Sequence, residues 1–157
     1  MTTPHTQPLR DEHLALLPEL AALRTAADAI GSPNAVEQIE RAHRLIDRHL
    51  LPHMTAEERA LYPMINALSQ DVDVTATLRR DHDEIRRLAA RLAAPAAESD
   101  DNDLRATLYG LDAIVRLHMA TEEELYYPLI DESLDEATAA TVIGSVHAVE
   151  HDLHRPS

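Results

Sequence analysis

The segment HMTAEERALYPMI, from His53 to Ile65, recurs as HMATEEELYYPLI from His118 to Ile130. The offset of 65 residues is the same for the His, Glu, Tyr and Pro of the two segments. Each copy places a His and a Glu four residues apart, which on a helix puts both side chains on one face about one turn apart. The repeat therefore predicts a duplicated helical unit with matching polar groups.

The composition predicts one helical domain over residues 1–157, with a core bundle at about 9–131. The chain has three Gly, no Phe and no Trp, and no Cys. Few Gly and few strand-forming aromatics favour helices, and the lack of Cys excludes disulfides, thiolate metal sites and iron–sulfur clusters. A formal charge of −14 disfavours nucleic acid and anionic membranes as partners. The N-terminal residues form no apolar leader and no run is long enough to span a bilayer, so we expect a cytoplasmic protein.

Four long helices and a short fifth follow from the periodicity and the helix-end signals. The predicted spans are about 8–31, 34–68 and 73–94, a fourth helix after the acidic cluster 100–103, and a fifth over about 134–154. A capping-box pattern of Ser133 and Glu136 marks the start of the fifth. Pro52 and Pro63 should bend the second. Short connections predict an all-α, up-down-up-down four-helix bundle.

Six polar residues interrupt the apolar seams of these helices. At a rise of about 1.5 Å per residue, antiparallel packing brings all of them to one level at one end of the bundle. Burying so many titratable groups is unfavourable without compensation. The six residues are His13, His53, Glu57, His82, His118 and Glu122.

A pair of metal ions is the chemistry that suits this set. Imidazoles bind Fe, Zn, Cu and Ni, and a buried carboxylate can bridge two cations. Two Glu from different helices can hold metals about 3.5–4 Å apart, with two His completing the protein ligands of each metal. Mixed His and carboxylate ligands with open positions favour iron over structural zinc, with zinc as a substitute.

The series His, His-x-x-x-Glu, His, His-x-x-x-Glu, with a further acid and a Tyr-Pro after each Glu, resembles the hemerythrin-like family of HHE cation-binding domains. The resemblance covers about residues 9–131. It implies a four-helix bundle with a non-haem di-iron centre, two Fe ions joined by an oxo or hydroxo bridge. By the same resemblance the four His are terminal ligands, and Glu57 and Glu122 are bridging carboxylates.

Two departures from the oxygen-carrying hemerythrins bear on function. Those proteins typically have a second His four residues after the His of the third helix, where this chain has Arg86. They also carry a more distant Asp on the fourth helix, where this chain has Glu122 at closer spacing. The resemblance is therefore closest to the stand-alone bacterial HHE proteins.

Several further residues have two interpretations. Tyr62 and Tyr127, five residues after each Glu, either face the centre as hydrogen-bond donors or redox partners, or pack at a helix kink. Glu58 and Glu123 are interpreted as exposed acids, with steering of ligands or a place behind the metal ligands as the alternative.

Three other histidines are candidates for an extra ligand or a place behind the ligands. His49 lies one turn before His53 and is otherwise expected to be partly exposed. His147 and His151 are spaced like a metal pair on the fifth helix, and a surface location is the alternative.

The function expected from this centre is binding or sensing of a small oxygen species: dioxygen, peroxide or nitric oxide. A catalase- or peroxidase-like di-iron enzyme is the first alternative, and an iron or zinc store is the second. Whether the protein is an enzyme stays open at this point. An apolar pocket lined by Leu16, Leu17, Leu125 and Leu129 is expected to limit water.

Overall fold

Helices account for the architecture of the computed structural model, which describes residues 3–69, 73–93 and 100–154. The described residues contain no strand, so the predicted all-α class is confirmed. None of the helices in these ranges is long and apolar enough to cross a membrane. The α-helices are α1 (Gln7–Ala29), α2 (Ala35–Leu45), α3 (Leu51–Ala56), α4 (Tyr62–Ser69), α5 (Ala76–Ala93), α6 (Asp101–Thr121), α7 (Tyr127–Ser133) and α8 (Glu136–Leu153).

The helix ends agree with the sequence signals at most positions. Gly31, after α1, has a φ of 87°, a left-handed conformation that favours Gly. The Asp100 side chain caps α6 by accepting hydrogen bonds from the backbone N–H groups of Asn102 and Asp103. The predicted start of the last helix was wrong: Ser133 ends α7, and Asp135 caps α8 by accepting from Thr138 N. Pro95, the predicted end of the third helix, lies outside the described residues.

Three π-helical turns lie just before prolines, two of them at Pro52 and Pro63, where bends were predicted. They span Ile46–Leu50, Glu57–Leu61 and Glu122–Tyr126, and join α2 to α3, α3 to α4, and α6 to α7. Each turn ends two residues before a proline, Pro52, Pro63 or Pro128. A proline has no N–H to donate, and its ring clashes with the carbonyl four residues earlier. The wider turn accommodates that clash while the helix continues.

The π turn after α6 shifts the buried face by one residue. In an unbroken helix Leu125 and Leu129 would follow Glu122 on the buried face, but Leu125 is 66% exposed and Tyr126, Tyr127 and Ile130 are buried. The expectation that Leu125 and Leu17 shield the pocket is therefore wrong, since Leu17 also faces solvent. Leu16 and Leu129 are partly buried against the core.

Two apolar clusters divide the bundle along its length. One joins the C-terminal part of α1 to α2, α5 and α6, and the other joins Leu9 of α1 to residues of α4, α7 and α8. The start of α1 thus meets the end of the second helical stretch, which makes these helices antiparallel. The six polar residues lie between the clusters. They share one level, as expected, but this level is not at an open end of the bundle, because the second cluster covers it.

Candidate metal centre

Each of the four long helical stretches contributes to one buried layer of six polar side chains, called here the His/Glu layer. His13 comes from α1, His53 from α3, His82 from α5 and His118 from α6, while Glu57 and Glu122 each open a π turn. None of the six residues is more than 4% exposed. The sequence therefore identified a real cluster, brought together from residues more than 100 positions apart.

The histidines form two pairs on opposite sides of the carboxylates. His13 and His53 form one group with Glu57, and His82 and His118 form a second group with the same Glu57. In each group the possible ligand atoms all lie within 4.8 Å of one another. These distances suit two metal ions side by side, because each group offers two ring nitrogens and carboxylate oxygen.

Both carboxylates reach from one histidine pair to the other. Glu57 places Oε1 3.2 Å from His53 Nε2 and Oε2 3.5 Å from His82 Nε2. Glu122 places Oε2 3.5 Å from His13 Nε2 and Oε1 3.5 Å from His118 Nε2. A carboxylate with one oxygen in each group has the position required to bridge two cations.

Acidic residues stand behind the histidines, at the Nδ1 atoms. His13 Nδ1 lies 2.9 Å from Glu123, His82 Nδ1 lies 2.8 Å from Glu58, and His118 Nδ1 lies 3.4 Å from Asp81. His53 Nδ1 faces Glu12 at 3.8 Å and Glu150 at 3.6 Å. An Nδ1–H donated outward leaves Nε2 with a lone pair directed into the layer, the arrangement typical of metal-binding histidines. We call these five residues the outer acids.

The outer acids follow a simple rule around the bundle. Four of them are adjacent in sequence to a member of the His/Glu layer, as Glu12 is to His13. A step of one residue turns about 100° around a helix, so each of these acids faces a histidine on the neighbouring helix. The pairs, taken in order around the four helical stretches, are Glu12 with His53, Glu58 with His82, Asp81 with His118, and Glu123 with His13.

Unpartnered atoms show that the layer fits a cation. Within the described part of the chain, His53 Nε2, both oxygens of Glu57 and Glu122 Oε2 are buried and make no hydrogen bond. The Nε2 atoms of His82 and His118 lie only 2.9 Å apart. With both Nδ1–H groups directed outward, either a proton or a metal ion must lie between these two nitrogens. Unpaired buried groups of this kind are unfavourable unless a cation compensates for them.

Electrostatics within the layer point the same way. Burial and the charge of Glu57 raise the pKa of Glu122 well above its usual range. Burial lowers the pKa of His118 to about 4. Burial alone would also lower the pKa of His53, but the charge of Glu57 and the neighbouring carboxylate of Glu150 raise it well above its usual range. Burial likewise opposes ionisation of Glu57, yet the charge of His53 and the surrounding histidines hold its pKa well below the usual range. Protons therefore occupy part of the layer, and a bound cation would displace them.

The repeated tyrosines face the layer. Tyr62 Oη donates a 2.8 Å hydrogen bond to Glu122 Oε1 and also lies 3.1 Å from His82 Nε2. Tyr127 Oη lies 3.2 Å from His13 Nε2. Both side chains are fully buried. Burial, together with the negative charges of Glu57 and Glu122, raises the pKa of each phenol. Of the two sequence interpretations, the structure supports hydrogen bonding to the centre.

Comparison with known families agrees with this geometry. The model of the hemerythrin HHE cation-binding domain matches residues 5–130, which include the whole His/Glu layer. The chain belongs to the hemerythrin HHE cation-binding family. No curated protein and no solved structure matches it.

The family assignment fixes the general nature of this HHE domain. It is an all-α helical bundle of a cation-binding family, and its His/Glu clusters fit a metal site. Helix α8 (Glu136–Leu153) lies beyond the matched residues. The contacts that α8 makes with the site are therefore an addition to the matched domain.

Three histidines with alternative interpretations lie outside the layer of this HHE domain. His49 is exposed, 4.0 Å from Glu19, and lines the same cavity as His53 without belonging to the layer. His151 is exposed and 3.9 Å from Asp152. His147 Nε2 lies 2.5 Å from Glu12 Oε1, which puts it outside the layer but next to an outer acid.

Among the outer acids, the sequence interpretation missed Glu12, Asp81 and Glu150. The expectation that Glu58 and Glu123 are exposed was wrong, because both are half-buried against histidines, in agreement with the alternative that places them behind the ligands. Arg86 does not replace a ligand but donates a 2.9 Å bond to Glu58 Oε2. The available signal was adjacency, since an acid sits next to a member of the layer in each of the four helical stretches. Glu150 had no such signal, because only folding brings α8 to His53.

Proposed function

We propose that this HHE domain holds two iron ions in the His/Glu layer and binds or senses a small oxygen species: dioxygen, peroxide or nitric oxide. One observation carries the proposal. Four histidine Nε2 atoms that point inward and two carboxylates that each reach both histidine pairs meet in a layer with unpartnered buried atoms. Zinc would accept the same donors. Thiolate-free His and carboxylate donors and the family relationship together favour iron.

The proposed ligands divide evenly between the two ions. His13 and His53 hold one ion and His82 and His118 hold the other, while Glu57 and Glu122 span both. This assignment is supported by the oxygen positions of the two carboxylates, each of which has one oxygen near each histidine pair. The outer acids keep the proton of each imidazole on Nδ1, so that Nε2 stays available.

Reduced iron, when bound, would supply electrons and an open coordination position. The chain's own residues set the conditions around it. Tyr62 holds a proton 2.8 Å from Glu122 Oε1, where it can stabilise added negative charge. Apolar clusters on both sides of the layer exclude bulk water.

The size of the approach to the layer favours a small ligand. A cavity of about 190 Å³ touches the layer at His53, and its other lining residues include Glu12, Leu16 and Glu150. All six proposed ligands are otherwise nearly inaccessible. A diatomic molecule or peroxide fits such an approach, whereas a large organic substrate does not.

Metal analysis followed by an anaerobic optical titration tests the proposal. We expect two iron ions per chain, and a change in the visible spectrum on aeration that reverses when oxygen is removed. Sustained oxygen release from added peroxide would instead identify a catalase-like enzyme. A zinc-filled site that is inert to oxygen would identify a metal store.

A double substitution tests the site itself. Glu57→Gln with Glu122→Gln keeps the size of both side chains but removes their charges, and we expect the desalted variant to lose both ions. Glu124→Gln is the matched control, because Glu124 is exposed in the π turn that begins at Glu122. Retention of both ions by the double variant would overturn the assignment.

A further inference from the structure

Helix α8 presents a polar face to the outer side of His53. His147, Glu150 and His154 lie at helical spacing along this face, so they point in a similar direction. Opposite them stands Glu12 of α1, which is next in sequence to His13. None of these four side chains belongs to the His/Glu layer.

Glu12 contacts His147 and also lies close to Glu150. His147 Nε2 lies 2.5 Å from Glu12 Oε1. Glu12, Glu150 and His53 each place a possible ligand atom within 4.8 Å of the other two. Glu12 Oε2 is buried and makes no hydrogen bond within the described part of the chain. Two carboxylates this close together, one with an unpartnered oxygen, favour a bound positive charge.

Cavities connect these side chains to solvent on one side and to the layer on the other. A cavity of about 360 Å³ is lined by Glu12, His147, Glu150, His151 and His154. The cavity of about 190 Å³ that reaches His53 shares Glu12 and Glu150 with it. Glu12 and Glu150 thus lie between the surface and His53, the one proposed ligand that lines the smaller cavity.

His53 also differs from the other three histidines of the layer in its number of outer acids. One acid faces Nδ1 of His13, of His82 and of His118, whereas two face Nδ1 of His53. A single carboxylate is sufficient to hold one N–H group. The additional acid comes from α8, the helix beyond the residues that match the family.

We propose that Glu12, His147 and Glu150 form an outer binding site for a divalent transition metal ion, through which metal reaches the buried centre past His53. One imidazole and two carboxylates make a donor set for ions such as Fe²⁺, Co²⁺ and Zn²⁺. A mouth with this negative charge also concentrates cations from solution and speeds their capture. Only the transfer from the outer site to the centre rests on the proposed function.

The competing interpretation is a structural ion pair, in which protonated His147 binds Glu12 and fastens α8 to α1. That role predicts a loss of stability on substitution but no effect on metal. Metal stoichiometry and uptake rate separate the two roles. If His147 only forms an ion pair with Glu12, its substitution changes neither quantity in a variant that still folds.

Titration of the metal-free protein with Co²⁺, followed by its visible absorption, tests the outer site. Wild type should bind a third, weaker ion after the two in the centre. The variant His147→Ala should lose only this third ion. His151→Ala is the matched control, because it removes the same kind of side chain from the same helix at a position exposed to solvent. If wild type bound no Co²⁺ ion that is lost in His147→Ala, the proposal would be overturned.

The double variant Glu57→Gln, Glu122→Gln separates failure of this proposal from failure of the proposed centre. It should lose the two central ions but still bind one Co²⁺ ion, and adding His147→Ala should abolish that binding. If wild type bound only one ion, and His147→Ala removed it, the outer site would stand and the centre would fail. If wild type bound two and the double variant none, the centre would stand and the outer site would fail.

Stopped-flow mixing of the metal-free protein with Co²⁺ tests the route. Filling of the centre should be about tenfold slower in His147→Ala than in wild type, because the site that captures cations at the mouth is lost. Final occupancy of the centre should be unchanged, and circular dichroism should show the same helix content. Equal filling rates in wild type and His147→Ala would overturn the route.

Discussion

Glu58 Oε1 lies 2.8 Å from His82 Nδ1, although the two residues belong to neighbouring helices. Glu58 directly follows Glu57, so one helix supplies a proposed ligand and also orients a ligand on the next helix. The same relationship joins Glu123 of the fourth stretch to His13 of the first. Because each helix fixes a histidine of its neighbour, the geometry of the centre depends on the whole bundle.

Removal of the Glu58 charge should weaken the proposed centre without dismantling it. Glu58→Gln can still accept a hydrogen bond from His82, but it no longer strengthens the imidazole as a donor. We expect metal affinity to fall by about ten- to a hundredfold, the usual effect of changing a group behind a ligand. Competition with a chelator of known affinity measures this change. Glu124→Gln serves as the control, and equal affinities in the two variants would contradict the role of Glu58.

The two repeated tyrosines should differ in their contribution to stability. Tyr62 Oη has three polar neighbours in the layer, Glu122, His82 and His118, whereas the recorded hydrogen bond of Tyr127 Oη is to His13. Tyr62→Phe should lower the free energy of unfolding of the metal-free protein by about 1–3 kcal/mol, because it leaves a buried acceptor unsatisfied. Tyr127→Phe should cost about 1 kcal/mol or less.

Urea unfolding monitored by circular dichroism measures both tyrosine variants. The substitutions are chemically identical and occupy equivalent positions in the repeat, so each controls for the other. A larger loss for Tyr127→Phe would show that the hydrogen bonds of Tyr62 do not stabilise the layer.

The register shift at the π turn after α6 predicts unequal costs for two leucine truncations. Leu125→Ala removes a side chain that is 66% exposed and should change the free energy of unfolding by less than about 0.5 kcal/mol. Leu108→Ala removes a side chain with no exposed surface in the same helical stretch and should cost about 2–5 kcal/mol. Thermal or urea unfolding measures both. A large loss of unfolding free energy in Leu125→Ala would show that Leu125 is buried, as an uninterrupted helix would place it.

The end of α8 should loosen as pH rises. His154 directs Nδ1 to the carbonyl of Glu150 and Nε2 to the carbonyl of Arg48, at 2.7 Å and 2.5 Å. Only the protonated ring can donate to both carbonyls, and these bonds raise the pKa of His154. A raised pKa in the folded state means that the contact is present at low pH and is lost as pH rises through that pKa.

Nuclear magnetic resonance tests the behaviour of His154. Its ring signals should titrate with a midpoint above the ordinary value of about 6.5. Amide protection in the last turn of α8 should decrease over the same pH range. In His154→Gln that pH dependence should disappear, and its persistence would assign the change to another group.

The members of the layer could be predicted from the sequence more readily than the residues that surround them. Polar residues at seam positions and the exact offset of the repeat predicted which side chains meet, because helical period and antiparallel connection fix which residues share a level. The same periodicity wrongly predicted that Leu125 is buried, because the π turn that begins at Glu122 interrupts the regular helical period. Prolines were expected to bend the second stretch, but the insertion of a wider turn depends on the packing that holds the helix together around each proline.

The sequence by itself determined the helical class, the family resemblance and the six residues of the His/Glu layer, because these depend on local periodicity and on spacing along the chain. Tertiary structure alone decided that the outer acids face histidines of neighbouring helices. It also decided that α8 brings His147 and Glu150 to the outer side of His53. These contacts join residues on different helices, and their partners depend on the rotation and register of each helix, which the packing of the bundle sets.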